Sequence, residues 1–200
     1  MLWDIKAYAQ NIAVIDEEGV QYTYEFLNKE VEQLAAQLPC DRCLVFSLCK
    51  NETGSLLGYV TFINYKKVPL LLDANLDREL LFSLISRYKP DYLWVPSSMT
   101  QEFAYEEQYA AQNYCLLKTP YTKAYPLYDE LALLLTTSGS TGSPKLVRQS
   151  YANIKANTKS IVEYLELDST ERPITTLPMS YTYGLSIINS HLYVGASIIL

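Results

Sequence analysis

Between Leu44 and Val95 three short apolar runs alternate with two segments of helical spacing, joined by connections of only a few residues. The runs are Leu44 to Cys49, Val68 to Leu72 and Tyr92 to Val95. After the first, Leu56, Val60 and Ile63 share one helical face. After the second, Asp77 opens a helix with Leu80, Leu81, Leu84, Ile85 and Tyr88 inward, and Pro90 closes it. Strands apolar along their whole length are buried on both faces, and neighbouring parallel strands need a helical crossover. The pattern therefore predicts an α/β fold of parallel sheets covered by helices.

The flanking segments extend this frame. Thr23 to Leu38 carries Leu27, Val31, Leu34, Ala35 and Leu38 at helical spacing, with Thr23 as N-cap and Pro39 as terminator. Ser98 to Ala111 reads as a helix and Asn113 to Leu117 as a fourth strand. Thr119 to Pro126, with two prolines, reads as a loop crossing to a new layer. Then come a strand at Leu131 to Leu135, a polar loop, a strand at Leu146 to Gln149 and a helix from about Ser150 to Leu165. Ile174 to Leu177 reads as a strand, Tyr183 to Tyr193 as a helix and Ala196 to Leu200 as a last strand. A buried strand needs neighbours and a cover, so a chain stopping in this apolar run reads as a truncated piece.

Composition narrows the chemistry. The net charge is 16 − 22 = −6 with no basic block, which argues against a nucleic-acid groove or an anionic-membrane patch. No run of 18 apolar residues occurs, and MLWDIKAYAQ is not a secretory signal, so a cytoplasmic location is expected. Cys40 and Cys43 form a lone C-x-x-C, Cys49 and Cys115 stand apart, and His191 is the only histidine. That spacing argues against a zinc site, and the cysteines read as free thiols. The eighteen tyrosines are scattered and read as fillers of half-buried positions.

The densest chemistry lies in Leu134 to Lys145, LLTTSGSTGSPK. Gly139 and Gly142 let the backbone curl so that successive N–H groups converge on an anion. Thr137, Ser138, Ser140 and Thr141 add hydroxyl donors, and Lys145 adds a full positive charge. Hung between two strands, such a loop suits a triphosphate tail. The Walker pattern fails, because the second glycine position counted from Gly139 is Pro144 and Leu146 follows the lysine. Its context fails too, since a strand and not a helix follows. A G-x-S-x-G nucleophile elbow is absent.

These twelve residues closely resemble the signature loop of the adenylate-forming superfamily, which includes acyl- and aryl-CoA ligases, peptide-synthetase adenylation domains and luciferases. The resemblance continues in VQYTYEFLNKEVEQLAAQL, in Asn51 and VPLLLD, and in LPMSYTYGLSIINSHLYVGASIIL. The last is similar to the family's P-x-x-x-x-x-G-L segment, which implies that Tyr181 and Gly184 line or gate the acyl pocket. Leu146 stands where glycine is usual, Tyr181 where histidine is common, and Lys66 or Lys67 where a small glycine precedes the VPLLLD strand, a difference expected to lie at the surface.

The resemblance implies that residues 1–200 are the N-terminal portion of the large domain, with subregions 1–118, a first β-α layer, and 119–200, the phosphate-loop layer. It implies ATP and Mg2+ as cofactors, a small-molecule carboxylate as substrate, and CoA or phosphopantetheine, including that of an acyl-carrier protein, as acyl acceptor. The family's adenine-binding segment, magnesium-holding acidic motif, ribose-binding aspartate and lysine-bearing lid fall beyond residue 200. Catalytic residues are thus expected outside this chain, no metal ligand within it, and the remainder of the domain as its partner. The competing reading is a short relative that binds nucleotide or a partner chain without catalysis.

Overall fold

The computed structural model describes residues 2–121, 126–136 and 145–200. After a 3-10 turn at Ile5–Tyr8 come β1 (Ile12–Ile15), β2 (Gln21–Thr23) and α1 (Tyr24–Ala36). Thr23 caps α1 as its sequence predicts, its Oγ1 accepting from the Phe26 N–H at 3.1 Å. The alternating core then unfolds as expected, with β3 (Leu44–Cys49), α2 (Thr53–Asn64), β4 (Val68–Asp73), α3 (Arg78–Tyr88) and β5 (Tyr92–Pro96). Asp77 caps α3 through a 2.9 Å bond from the Leu80 N–H.

Two antiparallel strands follow, β6 (Glu106–Ala111) and β7 (Tyr114–Lys118), then β8 (Leu131–Thr136), β9 (Leu146–Ser150), α4 (Tyr151–Leu165), α5 (Thr182–Val194) and β10 (Ile198–Ile199). The main sheet runs β6-β7-β5-β3-β4-β8-β9. Its four inner strands are parallel, with Val45 opposite Tyr92, Leu44 opposite Val68 and Leu70 opposite Leu134. The outer strands β6, β7 and β9 pair antiparallel. Because β8 joins β4 edge to edge, residues before and after 119 share this one sheet. A smaller sheet, β10-β1-β2, lies apart from it.

Strand alternation sorts side chains to two cores. Leu44, Phe46, Leu48, Leu70, Leu93 and Leu134 pack with Leu81, Leu84 and Ile85 of α3. Val45, Leu71, Trp94, Leu133 and Leu135 face the opposite side, with residues of α1, α2, α4 and α5. Every residue of α2 is buried, although its sequence shows one clear apolar face. It lies against α1 and the sheet, and a Cβ at Gly58 would fall 2.4 Å from the Trp94 ring. Glycine there sets how closely α2 approaches the sheet.

Several expectations need correction. The helix expected at Ser98 to Ala111 is a 3-10 turn, Ser97–Glu102, followed by the edge strand β6. Gln112 and Asn113 both have positive φ, 50° and 60°, and turn the chain into a two-residue hairpin, so pairing with β7 overrides local helix preference. Ile174 to Leu177 forms only a single bridge, Ile174 to Ile199. Side-chain bonds to the Thr175 and Leu177 carbonyls take the place of a ladder. The crossing expected at Thr119 to Pro126 includes residues 122–125, outside the described residues.

Lys67 is buried and not at the surface, its ammonium donating to the carbonyls of Cys40 and Asp41. Lys66 has φ 57°. The left-handed backbone explains why glycine suits this turn and why lysine carries strain here. Lys66→Gly is therefore expected to raise stability by roughly 0.5–1 kcal/mol. A higher urea midpoint at unchanged m-value checks this.

Candidate functional site

All four parallel strands end at one edge of the sheet, where ligand crevices form in open α/β folds. From that edge β8 leads out and β9 leads back, with Thr136 opposite Leu146. Residues 137 to 145 therefore join two adjacent strand ends, the setting expected for the anion loop. Thr137, Ser138, Gly139, Ser140, Thr141 and Gly142 lie outside the described residues. Lys145 is exposed at the foot of the return strand. The residues after it form β9 and not a helix, in keeping with the rejection of a Walker loop. Ser150 then caps α4 in a reciprocal box with Asn153, its Oγ accepting from the Asn153 N–H at 3.1 Å.

Beside the hairpin lies a cleft of about 550 Å³, walled by β8, β9, α4 and α5. Its apolar lining includes Leu133, Leu135, Ile154 and Leu185, and its polar lining includes Arg148, Asn157, Ser186 and Asn189. Seven of its eleven lining residues are polar, so the cleft suits a small organic molecule that carries polar groups.

Tyr181 occupies the N-cap position of α5 and is exposed, one residue from Thr182 on the cleft wall. Its amide donates to the Pro178 carbonyl at 3.0 Å, and its carbonyl accepts from the Leu185 N–H at 2.9 Å, so the backbone is held at both groups. Gly184 is buried, and a Cβ there would stand 2.4 Å from the Pro178 oxygen and 2.6 Å from the Leu177 oxygen. The glycine thus lets α5 rest directly on the Leu177–Pro178 backbone. Tyr181 and Gly184 lie at the first turn of α5, whose Thr182, Leu185, Ser186 and Asn189 line the cleft; neither Tyr181 nor Gly184 is itself part of that lining.

The groups that hold this segment were only partly visible in the sequence. Asn51, which follows β3, donates Nδ2 to the Thr175 carbonyl at 2.7 Å and to the Leu177 carbonyl at 3.3 Å. Buried Tyr59 of α2 donates its hydroxyl to Asn189 Oδ1 at 2.7 Å, tying α2 to α5. Burial raises the Tyr59 phenol well above its ordinary value, so it stays a neutral donor. Neither Tyr59 nor Asn189 stands out in the sequence, since α2 also carries Thr53, Ser55, Thr61 and Asn64, and α5 also carries Ser186, Ser190 and His191. Deeper, Tyr114 hydroxyl lies 2.6 Å from Ser55 Oγ and donates to the Leu48 carbonyl at 3.0 Å, fixing the end of β3.

Similarity to known proteins agrees with this geometry. Residues 99–200 match the model of a family described as AMP-binding enzyme. The 3,4-dihydroxybenzoate–[aryl-carrier protein] ligase of Bacillus anthracis is 28% identical over 141 residues, covering 70% of this chain and 30% of that protein. The 2-succinylbenzoate–CoA ligase of Listeria monocytogenes serotype 4b is 26% identical over 196 residues, covering 92% and 40%. The solved o-succinylbenzoate coenzyme A synthetase (MenE) of Bacillus subtilis, in complex with ATP and magnesium ion, superposes with a TM-score of 0.75 at 20% identity, covering 98% of this chain and 55% of that one. The fold is thus that of the N-terminal part of adenylate-forming enzymes. The chain spans well under half the length of these curated relatives.

Gly184→Ala is expected to destabilise the chain by about 1–3 kcal/mol, because backbone oxygens and not a flexible side chain meet the new methyl. Equilibrium urea unfolding checks this, and a change below 0.5 kcal/mol contradicts the close packing of α5.

Proposed function

Because the chain belongs to the AMP-binding enzyme family, we propose that it is the N-terminal part of a ligase that activates a carboxylic acid with ATP. The substrate carboxylate oxygen attacks the α-phosphorus, the bond from that phosphorus to the bridging oxygen breaks, and pyrophosphate leaves. A thiol, of CoA or of the phosphopantetheine on an acyl-carrier protein, then attacks the acyl-adenylate carbonyl and releases AMP.

The observation that supports this reading is the β8–β9 strand pair at the carboxyl edge of the parallel strands, whose ends the donor-rich segment connects and which helps wall a cleft with α4 and α5. In this reading Thr137, Ser138, Gly139, Ser140, Thr141, Gly142 and Lys145 hold the β- and γ-phosphates. Their N–H, hydroxyl and ammonium donors meet the charge that grows on departing pyrophosphate. Tyr181 and Gly184 border the acyl group. Among the described residues no cluster of acidic or histidine side chains could hold a metal ion. In this reading, as the family resemblance implies, the magnesium ligands lie in the rest of the domain.

This division of labour makes the isolated chain inactive. The ligase containing it is expected to catalyse carboxylate-dependent exchange of pyrophosphate into ATP, and residues 1–200 alone are not. Lys145→Ala in the ligase is expected to weaken ATP binding roughly 10- to 100-fold, the loss of one charge-assisted contact. Exchange kinetics at graded ATP read this directly. Nucleotide binding without exchange for any carboxylate would favour a non-catalytic relative, and an unchanged ATP requirement in the variant would remove Lys145 from the site.

A further inference from the structure

The loop between α1 and β3 carries two sulfurs with different surroundings. Cys40 is partly exposed and Cys43 is buried, three positions on. Cys43 is fixed from behind, its carbonyl accepting from the Val68 N–H at 2.9 Å. Beneath the loop lies the buried ammonium of Lys67, bonded to the Cys40 and Asp41 carbonyls. A desolvated charge acts strongly over a short range. The other ionisable groups against the pair are Asp91, whose carboxylate accepts from the Leu44 N–H at 3.0 Å, and Tyr92.

The Cys43 thiol and the Lys67 ammonium together hold Cys40 below an ordinary thiol despite partial burial. The Cys40 thiol and burial push Cys43 upward. The result is one partly exposed sulfur suited to attack and a second, buried and still protonated, three positions on. Arg42, between them in sequence, donates to the carbonyls of Lys66, Tyr128 and Leu131 at 3.0, 2.7 and 2.6 Å. The loop is thereby anchored from between the cysteines by Arg42 and from beneath by Lys67.

We propose that Cys40 and Cys43 form a reactive dithiol that closes to a disulfide by exchange with small-molecule disulfides, which makes this loop a redox modification site. Cys40 thiolate attacks one sulfur of the reagent, forms a mixed disulfide and expels one thiolate. Cys43 then gives up its proton and attacks the Cys40 sulfur, which expels the second reagent thiol. Two protein thiols are oxidised to one disulfide, and one reagent disulfide is reduced to two thiols. The proposal is independent of the ligase reading and uses none of its residues.

The test uses the reduced 200-residue chain, incubated at pH 7 with graded ratios of oxidised to reduced dithiothreitol, acid-quenched, unfolded, alkylated and mapped by mass spectrometry. The expected result is loss of two alkylatable thiols, a bond mapped to Cys40–Cys43, and free Cys49 and Cys115. With glutathione disulfide, Cys43→Ala is expected to accumulate an adduct on Cys40 that the unaltered chain resolves. Lys67→Met is expected to slow alkylation of Cys40 at pH 7 by about 3- to 10-fold. Four thiols still free at every ratio, or a disulfide joining any other pair, overturns the proposal. So does a glutathione adduct on Cys40 that persists equally in the unaltered chain, a result that does not depend on the variants folding.

Discussion

Burial of the inner strands on both faces is the constraint on which the rest of the structure depends. β5, β3, β4 and β8 run parallel at the centre of the sheet, and one core lies on each side of them. Such a sheet offers no water to its backbone, so every peptide group in it must be paired in the ladder. The strands cannot slip, since a shift of one residue would send Phe46 and Leu48 to the face occupied by Val45. All four therefore end at one fixed edge, and the connections leaving that edge are placed by a rigid frame. The β8–β9 hairpin belongs to this edge, and its outgoing strand is gripped by β4 through Leu70–Leu134 and Leu71–Leu135.

A handful of polar side chains translate that frame into the geometry of the site. Arg42 holds the carbonyls of Tyr128 and Leu131 at the entrance of β8, opposite in direction to the loop it carries. Asn51 reaches from the end of β3 to the Thr175–Leu177 backbone, and Tyr59 reaches from α2 to α5. Each joins elements far apart in sequence. The net charge of −6 gives an anionic nucleotide no long-range attraction. Under the proposed reading, the donor-bearing residues 137 to 145 supply that attraction locally, in place of a broad basic surface.

Legibility of the sequence followed the range of the forces involved. The strands and helices from Leu44 to Val95 were readable because apolar period and caps act locally, and Thr23 and Asp77 cap where their residue type says they should. The segment Ser98 to Ala111 was misread because β6 exists only through its pairing with β7, a contact that local helix preference does not register. Lys67 was assigned to the surface because a lysine is rarely buried, and its two carbonyl partners lie 26 or 27 positions earlier. Tyr181 and Gly184 were picked out by resemblance, yet the physical reason for the glycine, the Pro178 and Leu177 oxygens under α5, is a packing fact. The roles of Asn51 and Tyr59 were likewise hidden, since their partners come from the last quarter of the chain.

Residues 137 to 145 are proposed to grip the phosphate tail of ATP from a strand pair that is already rigid without it. Amide hydrogen exchange of the ligase, with and without ATP and magnesium, tests this most directly. Peptides covering 131 to 136 are expected to be protected in both states, while exchange of those covering 137 to 145 slows markedly when nucleotide is added. Protection that appears elsewhere while 137 to 145 exchange at an unchanged rate would contradict it.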